Sequence, residues 1–321
     1  MQHVQGKRIL IIGGTGSLGT TLCRLWAQQN EKVCIFSRDE NKQWLMRQTY
    51  PDLDYIIGDM RDKASVVRAL LRFRPNVVII AAALKHIDIC ENNTNECIAT
   101  NITGVNNVLE AVGEASGIET CLFISTDKAC SPVNIYGMCK SVSERCVAAA
   151  AQLYPATKFV MVRYGNVICS RGSLIPKMRE MVTTMSELPI TDVKMTRFFM
   201  PLEHAVELIS TAILHGRSGE TFLPHIQAFR IMDVFKWWSD KYDKPIKVVG
   251  HRQGEKVHEM LINETERLRT EVHVINNKVW YIILPTHMQS TVDPSKVPAF
   301  KDFESSNVED TIEALVPYFM E

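Results

Sequence analysis

The sequence predicts an α/β protein built on a Rossmann-like doubly wound parallel sheet, with a smaller, interleaved α/β lobe for substrate. Three observations predict it. Short apolar runs alternate with helix-length amphipathic stretches through the first half; a glycine turn joins the first run to the first helix; and the alternation breaks down after about Asn166. Arg8 to Ile12 is the first strand, followed by Gly13-Gly14-Thr15-Gly16-Ser17-Leu18-Gly19 and a helix over Thr20 to Gln29. Glycines there permit positive φ and close backbone approach, and the helix start offers unpaired N–H groups. Gly13, Thr15, Gly16, Ser17, Leu18 and Gly19 are therefore the candidate seat of a dinucleotide pyrophosphate, with an ordinary tight turn as the competing reading.

The second strand, Lys32 to Phe36, ends in Ser37-Arg38-Asp39. Arg38 offers a planar cation to a 2′-phosphate and so favours NADP; alternatively Arg38 is a solvated loop residue and Asp39 holds the ribose. Asp59, after the strand Asp54 to Ile57, either accepts from adenine or caps the helix that begins near Asp62. The strand Asn76 to Ala81 leads to Lys85 and His86 at its carboxyl end, where ligands approach such sheets; His86 reads as a structural histidine. A helix spans Asn95 to Ala115. The strand Thr120 to Ile124 then runs into Ser125-Thr126-Asp127-Lys128, and the helix Asn134 to Leu153 places Tyr136 and Lys140 on one face. A lysine charge beside that phenol favours the phenolate, which would make Tyr136 a base for a hydroxyl proton.

After the strand Lys158 to Val162, helices are expected over Leu174 to Met185, Pro201 to Leu214 and Ile231 to Tyr242. Glu271 to Leu284 reads as a hairpin turning at Asn276-Asn277. These later pieces are assigned to the smaller lobe, which gives a cofactor-binding domain over 1–166, with some later segments returning to it, and a substrate-binding lobe over 167–321.

Lys plus Arg and Asp plus Glu number 36 each, so no global field draws the chain to nucleic acid or an acidic membrane. Nine scattered cysteines fit reduced thiols, and no spacing suggests a metal site. No apolar run reaches the length of a membrane span and Met1 to Gly6 is not a signal peptide, so a soluble, cytoplasmic protein is expected.

Ten ordered blocks resemble the extended short-chain dehydrogenase/reductases, and within them the soluble inverting UDP-N-acetylglucosamine 4,6-dehydratases. They are GGTGSLG from Gly13, SRDE from Ser37, GDMRD from Gly58, AAALKH from Ala81, STDKA from Ser125, NIYGMCK from Asn134, RYGNV from Arg163, SRGS from Ser170, PITDVKMTRF from Pro189 and GEKVHE from Gly254. The resemblance implies a tightly bound, recycled NADP bordered also by Ser37, Met60, Ala81, Ala82 and Ala83, and touched by Tyr136 and Lys140. It implies UDP-N-acetylglucosamine as substrate, contacted by Lys85, Asn166, Arg197, Arg252 and Glu255; for the two arginines a surface ion pair is the alternative, and for Asn166 a turn residue. In the implied scheme Tyr136 takes the C4 hydroxyl proton, Thr126 hydrogen-bonds O4, Asp127 is the acid for C6 and Lys128 the base at C5, where ordinary sugar-nucleotide dehydratases carry glutamate. The lysine is expected to have a lowered pKa and to invert C5, giving UDP-2-acetamido-2,6-dideoxy-β-L-arabino-hex-4-ulose. Another nucleotide-sugar dehydratase or an epimerase shares most of these residues, and a non-catalytic NADP sensor is the reading from another class. A homo-oligomer, dimer or hexamer, is also implied.

Overall fold

The computed structural model describes residues 6–27, 32–308 and 311–320. The expected end of the first helix at Gln28 and Gln29, and the segment Met1 to Gln5, lie outside the described residues. The chain runs β1 (Arg8–Ile12), α1 (Ser17–Ala27), β2 (Lys32–Ser37), α2 (Glu40–Thr49), β3 (Asp54–Ile57), α3 (Lys63–Phe73) and β4 (Val77–Ile80). It continues with α4 (Ile87–Asn92), α5 (Thr94–Ile98), a π-helical turn at Ala99–Thr103, α6 (Gly104–Glu114), β5 (Thr120–Ile124), α7 (Ile135–Leu153) and β6 (Lys158–Val162). Then come β7 (Asn166–Val167), α8 (Leu174–Thr184), β8 (Leu188–Ile190), β9 (Thr196–Met200), α9 (Leu202–His215), β10 (Thr221–Pro224), β11 (Ala228–Arg230) and α10 (Ile231–Tyr242). The remainder holds β12 (Ile246–Val248), β13 (Met260–Ile262), α11 (Glu264–Arg267), β14 (Thr270–Ile275), β15 (Lys278–Ile283) and β16 (Phe303–Glu304).

The central sheet has nine strands in the order β14-β15-β10-β6-β5-β4-β1-β2-β3, and the seven from β10 to β3 are parallel. Near-continuous apolar strands such as RILII and TCLFI are buried because helices cover both faces. One core layer gathers Leu22, Trp26, Val206 and Ile209 against the sheet, and the other gathers Val66, Leu70, Val108 and Val147. Strand order reverses between β1 and β4, which opens a crevice at their carboxyl ends.

Helix α9 and the β14–β15 hairpin, both assigned from sequence to the smaller lobe, join the central sheet instead. The core residues of α9 pack in the same layer as α1, and β15 pairs antiparallel with β10. Burial decides this: the apolar face of β15, with Trp280 and Ile282 buried, needs the sheet edge to cover it. The hairpin does turn at Asn276 and Asn277, whose φ angles are 54° and 60°. The smaller lobe is built from α8, α10, the paired strands β8 and β12, and the β11-β9-β7 sheet, around Met178, Leu188, Phe235 and Trp238. No helix among the described residues is long and apolar enough to cross a membrane.

Candidate active site

The glycine turn sits flush in the crevice. A Cβ on Gly13, at φ +88°, would lie 2.6 Å from the Ala82 nitrogen, and one on Gly19 would lie 2.4 Å from the Gly14 oxygen, so these two glycines set the packing of β1, α1 and the chain after β4. Gly16 differs: a Cβ there would meet only the Gly13 oxygen at 3.2 Å, leaving its outer side open. With the first N–H groups of α1 beside it, this is a cradle that fits a pyrophosphate. Thr15 and Ser17 face the loop 168–173, where the Arg171 backbone N–H donates to Ser17 Oγ at 3.0 Å and its guanidinium donates to the Thr15 carbonyl. Leu18 packs against the core, and Ala81 continues the sheet by donating to the Ile12 carbonyl at 2.9 Å, leading into Ala82 and Ala83.

At the adenosine end, Asp39 is the N-cap of α2, accepting from Lys42 N at 3.0 Å and pairing with Lys42 Nζ at 2.6 Å. That leaves Arg38, half-exposed and 3.7 Å from Asp59, as the cation at this corner. Ser37 is buried and accepts from Gln43, and Met60 is buried against Gly104. Asp62, not Asp59, caps α3 through Ala64 N. The Asp59 carboxylate instead accepts from Arg61; burial pushes its pKa up, and those Arg61 hydrogen bonds and charge more than reverse the effect.

Beyond β5 the chain keeps the ladder, with Ser125 N donating to Val162 O and Asp127 N to Tyr164 O, and then makes a 3₁₀ turn over Asp127–Ala129 capped by Thr126. The start of α7 presses on this turn: a Cβ on Gly137 would lie 2.3 Å from the Lys128 carbonyl oxygen. Asn134 caps α7 through Gly137 N at 2.8 Å and donates to the Gly254 carbonyl at 2.7 Å. Thr126, Asp127, Lys128 and Tyr136 therefore converge, Thr126 Oγ1 donating to Asp127 Oδ1 at 2.8 Å and sharing a hydrogen bond with the Tyr136 hydroxyl.

Two electrostatic expectations are corrected. Tyr136 shifts opposite to the expectation: burial and the Asp127 charge raise its pKa. Lys140, on the same helix face and buried, donates to the Ile124 carbonyl at 2.8 Å and lies 4.3 Å above the Phe123 ring; burial lowers its pKa to about 8. Lys128, expected to shed its proton readily, holds it more firmly than an ordinary lysine. Burial favours the neutral amine, but the carboxylates of Asp127 and Glu259 outweigh that. Its Nζ donates to Asp127 Oδ1 at 3.0 Å and Asn166 Oδ1 at 3.3 Å, and lies 3.4 Å from Glu259 Oε1.

Lys128 and Asn166 open onto a cleft of roughly 290 Å³ between the lobes, lined also by Lys85, His86, Lys177, Arg197, Arg252, Glu255 and Glu259. The excess of cations suits a diphosphate. Within it, Lys85 donates to the Arg171 carbonyl at 2.9 Å, and burial lowers its pKa. Arg252 and Glu255 stand at the rim, joined by a backbone contact of 3.4 Å. Arg197 is largely spent: it donates to the carbonyls of Thr196, Lys256 and Val257. Two larger hollows, about 410 and 440 Å³, contain none of the expected site residues.

Sequence reasoning passed over Glu259, although it quoted the block that contains it; the signal was a carboxylate four residues after Glu255. It also passed over Lys177, and the buried ion triad Glu144–Arg163–Glu266, whose Arg163 donates to both carboxylates at 2.6–3.0 Å. Ser125 Oγ donates to Glu144 at 2.6 Å, so the triad anchors the turn after β5 from behind.

A family model described as polysaccharide biosynthesis protein matches residues 9–279. The chain is 40% identical over 267 residues to the UDP-N-acetylglucosamine 4,6-dehydratase (inverting) of Campylobacter jejuni, covering 81% of this chain and 78% of that protein. It is 36% identical over 276 residues to the UDP-glucose 4-epimerase of Rickettsia canadensis, covering 83% of this chain and 80% of that protein. Among solved structures, Pen from Bacillus thuringiensis superposes with a TM-score of 0.88 at 30% identity, covering 98% of this chain and 97% of that one.

Proposed function

The chain belongs to the polysaccharide biosynthesis protein family, among the extended short-chain dehydrogenase/reductases that include nucleotide-sugar dehydratases and epimerases, and from that premise we propose that it is an NADP-dependent, 5-inverting UDP-N-acetylglucosamine 4,6-dehydratase. One observation carries the reading beyond the family: Lys128 follows Asp127 in the turn after β5, and its Nζ lies at the cleft beside both Asp127 and Asn166. A C4 epimerase has no use for an acid and base pair acting at C5 and C6.

A nicotinamide held in the crevice would supply a reversible hydride acceptor, taking hydride from C4 and returning it to C6, so that it ends as it began. Tyr136 and Thr126 engage the C4 hydroxyl, Tyr136 taking its proton as the hydride leaves. Lys128 can pass a proton to Asp127 across their 3.0 Å contact, which creates two groups at once: a neutral amine for the C5 proton and a carboxylic acid for the departing C6 hydroxyl. The same transfer removes the Asp127 charge that opposes ionisation of Tyr136. After water leaves, Lys128 carries the proton taken from C5 and Asp127 is again ionised, so the protons balance. With hydride returned to C6, a proton added to C5 on the face opposite to the one it left would give the inverted product, UDP-2-acetamido-2,6-dideoxy-β-L-arabino-hex-4-ulose. Arg38 supports NADP, because Asp39 is committed to capping α2. Lys85, Asn166, Arg252 and Glu255 are assigned to the sugar nucleotide, with Arg197 holding the segment that carries Glu255.

Incubation with UDP-N-acetylglucosamine, without added NADPH, should yield a product lighter by one water, with solvent deuterium at C5 and the L-arabino configuration by NMR. An isomer of unchanged mass would instead identify an epimerase.

A further inference from the structure

Lys128 Nζ donates to Asp127 in its own turn and to Asn166 on β7, and forms an ion pair at 3.4 Å with Glu259 just before β13. Two carboxylates beside one amine are matched to its charged form. The dehydration chemistry needs that form to be given up and regained within each turnover.

Glu259 is suited to govern the exchange. Its side chain is 3% exposed, and its Oε2 has no hydrogen-bond partner among the described residues. The backbone on both sides of it is fixed by Ser305, whose Oγ accepts from Glu259 N at 2.8 Å and whose N–H donates to the Glu259 carbonyl at 2.8 Å. The segment is also stapled to the catalytic turn, since Lys256 Nζ donates to the Cys130 carbonyl at 2.7 Å and Asn134 holds Gly254. Arg197 Nε at 3.9 Å and Lys256 Nζ at 3.8 Å stand beside the carboxylate without hydrogen-bonding it and leave it directed at Lys128.

We propose that Glu259 is the positioning residue that lets Lys128 cycle its proton: it remains the counter-charge of the amine while Asp127 is neutral. This rests on the dehydratase reading above. When Lys128 passes its proton to Asp127, the amine is left near the Arg197 charge, in a buried site where its own charged form is disfavoured. Without Glu259 it would be a poor acceptor for the C5 proton. With the Glu259 carboxylate at 3.4 Å, the ammonium formed as the C5–H bond breaks is paired from the start, the C5 electrons moving to expel the C6 oxygen as it takes the Asp127 proton. The charged groups facing Lys128 are thus Asp127, Glu259 and Arg197, with Lys256 beside Glu259 and Tyr136 acting through Asp127.

The test compares wild type with Glu259→Gln and Glu259→Asp, using UDP-N-acetylglucosamine. In Glu259→Gln, kcat should fall about 10- to 100-fold with little change in KM, and the alkaline limb of the kcat/KM profile should move down by about one pH unit or more. Glu259→Asp should recover part of both. The pH dependence of Lys128 acetylation, followed by mass spectrometry, reads the same shift without turnover and applies to whichever variant folds. If wild type releases water and acetylation of Lys128 in a folded variant titrates as in wild type, Glu259 does not have this role. If wild type itself releases no water while acetylation shifts as expected, the contact stands and the dehydratase reading fails.

Discussion

Tyr136 and Lys140 are four residues apart on one turn-spaced face of α7, and their spacing was legible without a structure; the direction of their electrostatics was not. Lys140 turns to the Ile124 carbonyl, while burial, and after it the Asp127 charge from the turn before the helix, raises the phenol's pKa. Sequence distance counted the wrong neighbour. The same holds for Lys128, whose charge is fixed mainly by carboxylates at positions 127 and 259. Asp127 links these groups, so Asp127→Asn should lower turnover by about 10²- to 10⁴-fold. Mass spectrometry for water loss and NMR for C5 deuterium should show both signals lost together; retention of water loss at the wild-type rate would exclude Asp127 as the acid.

Helix boundaries were readable where a cap announced them. Asn134 ends the preceding turn and starts α7, and Asp62 does the same for α3. The stretch expected as one helix from Asn95 to Ala115 instead contains a π turn at Ala99–Thr103, within which Asn101 satisfies both the N–H and the carbonyl of Leu84. Apolar periodicity does not report such long-range pairing. Gly137 is another position whose meaning is tertiary: it is helical, and only the Lys128 carbonyl 2.3 Å from a would-be Cβ demands glycine. Gly137→Ala should force α7 off the catalytic turn, destabilising the fold by about 1–3 kcal/mol. Thermal melts and water-release assays on the same preparation should show activity falling further than the loss of folded protein explains; full activity in the folded fraction would mean that the turn tolerates the shift.

At the scale of the whole molecule, Arg163 ties β6, α7 and α11 together with two buried carboxylates. Burial alone would raise the Glu266 pKa, but the Arg163 charge and hydrogen bonds bring it down to about 2 from an ordinary 4.5. A depressed carboxylate stabilises the fold fully above its unfolded pKa, and that contribution is lost as pH falls through the folded value, so acid destabilisation should develop between pH 4.5 and about 2. Glu266→Gln should cost about 3–5 kcal/mol at neutral pH by leaving Arg163 undercompensated, and should flatten the pH dependence of Tm in that window. Unchanged melting curves would show that Glu144 alone suffices. Strand and helix alternation, the glycine turn and the local runs from Ser125 and Asn134 were set by the sequence itself, because side-chain periodicity, caps and backbone freedom act over a few residues. Tertiary structure alone decided that the β14–β15 hairpin completes the main sheet, that Glu259 reaches Lys128, and that Lys128 and Tyr136 both hold their protons more firmly than expected. Those outcomes depend on burial and on charges brought within a few ångströms from distant positions, and neither quantity exists until the chain is folded.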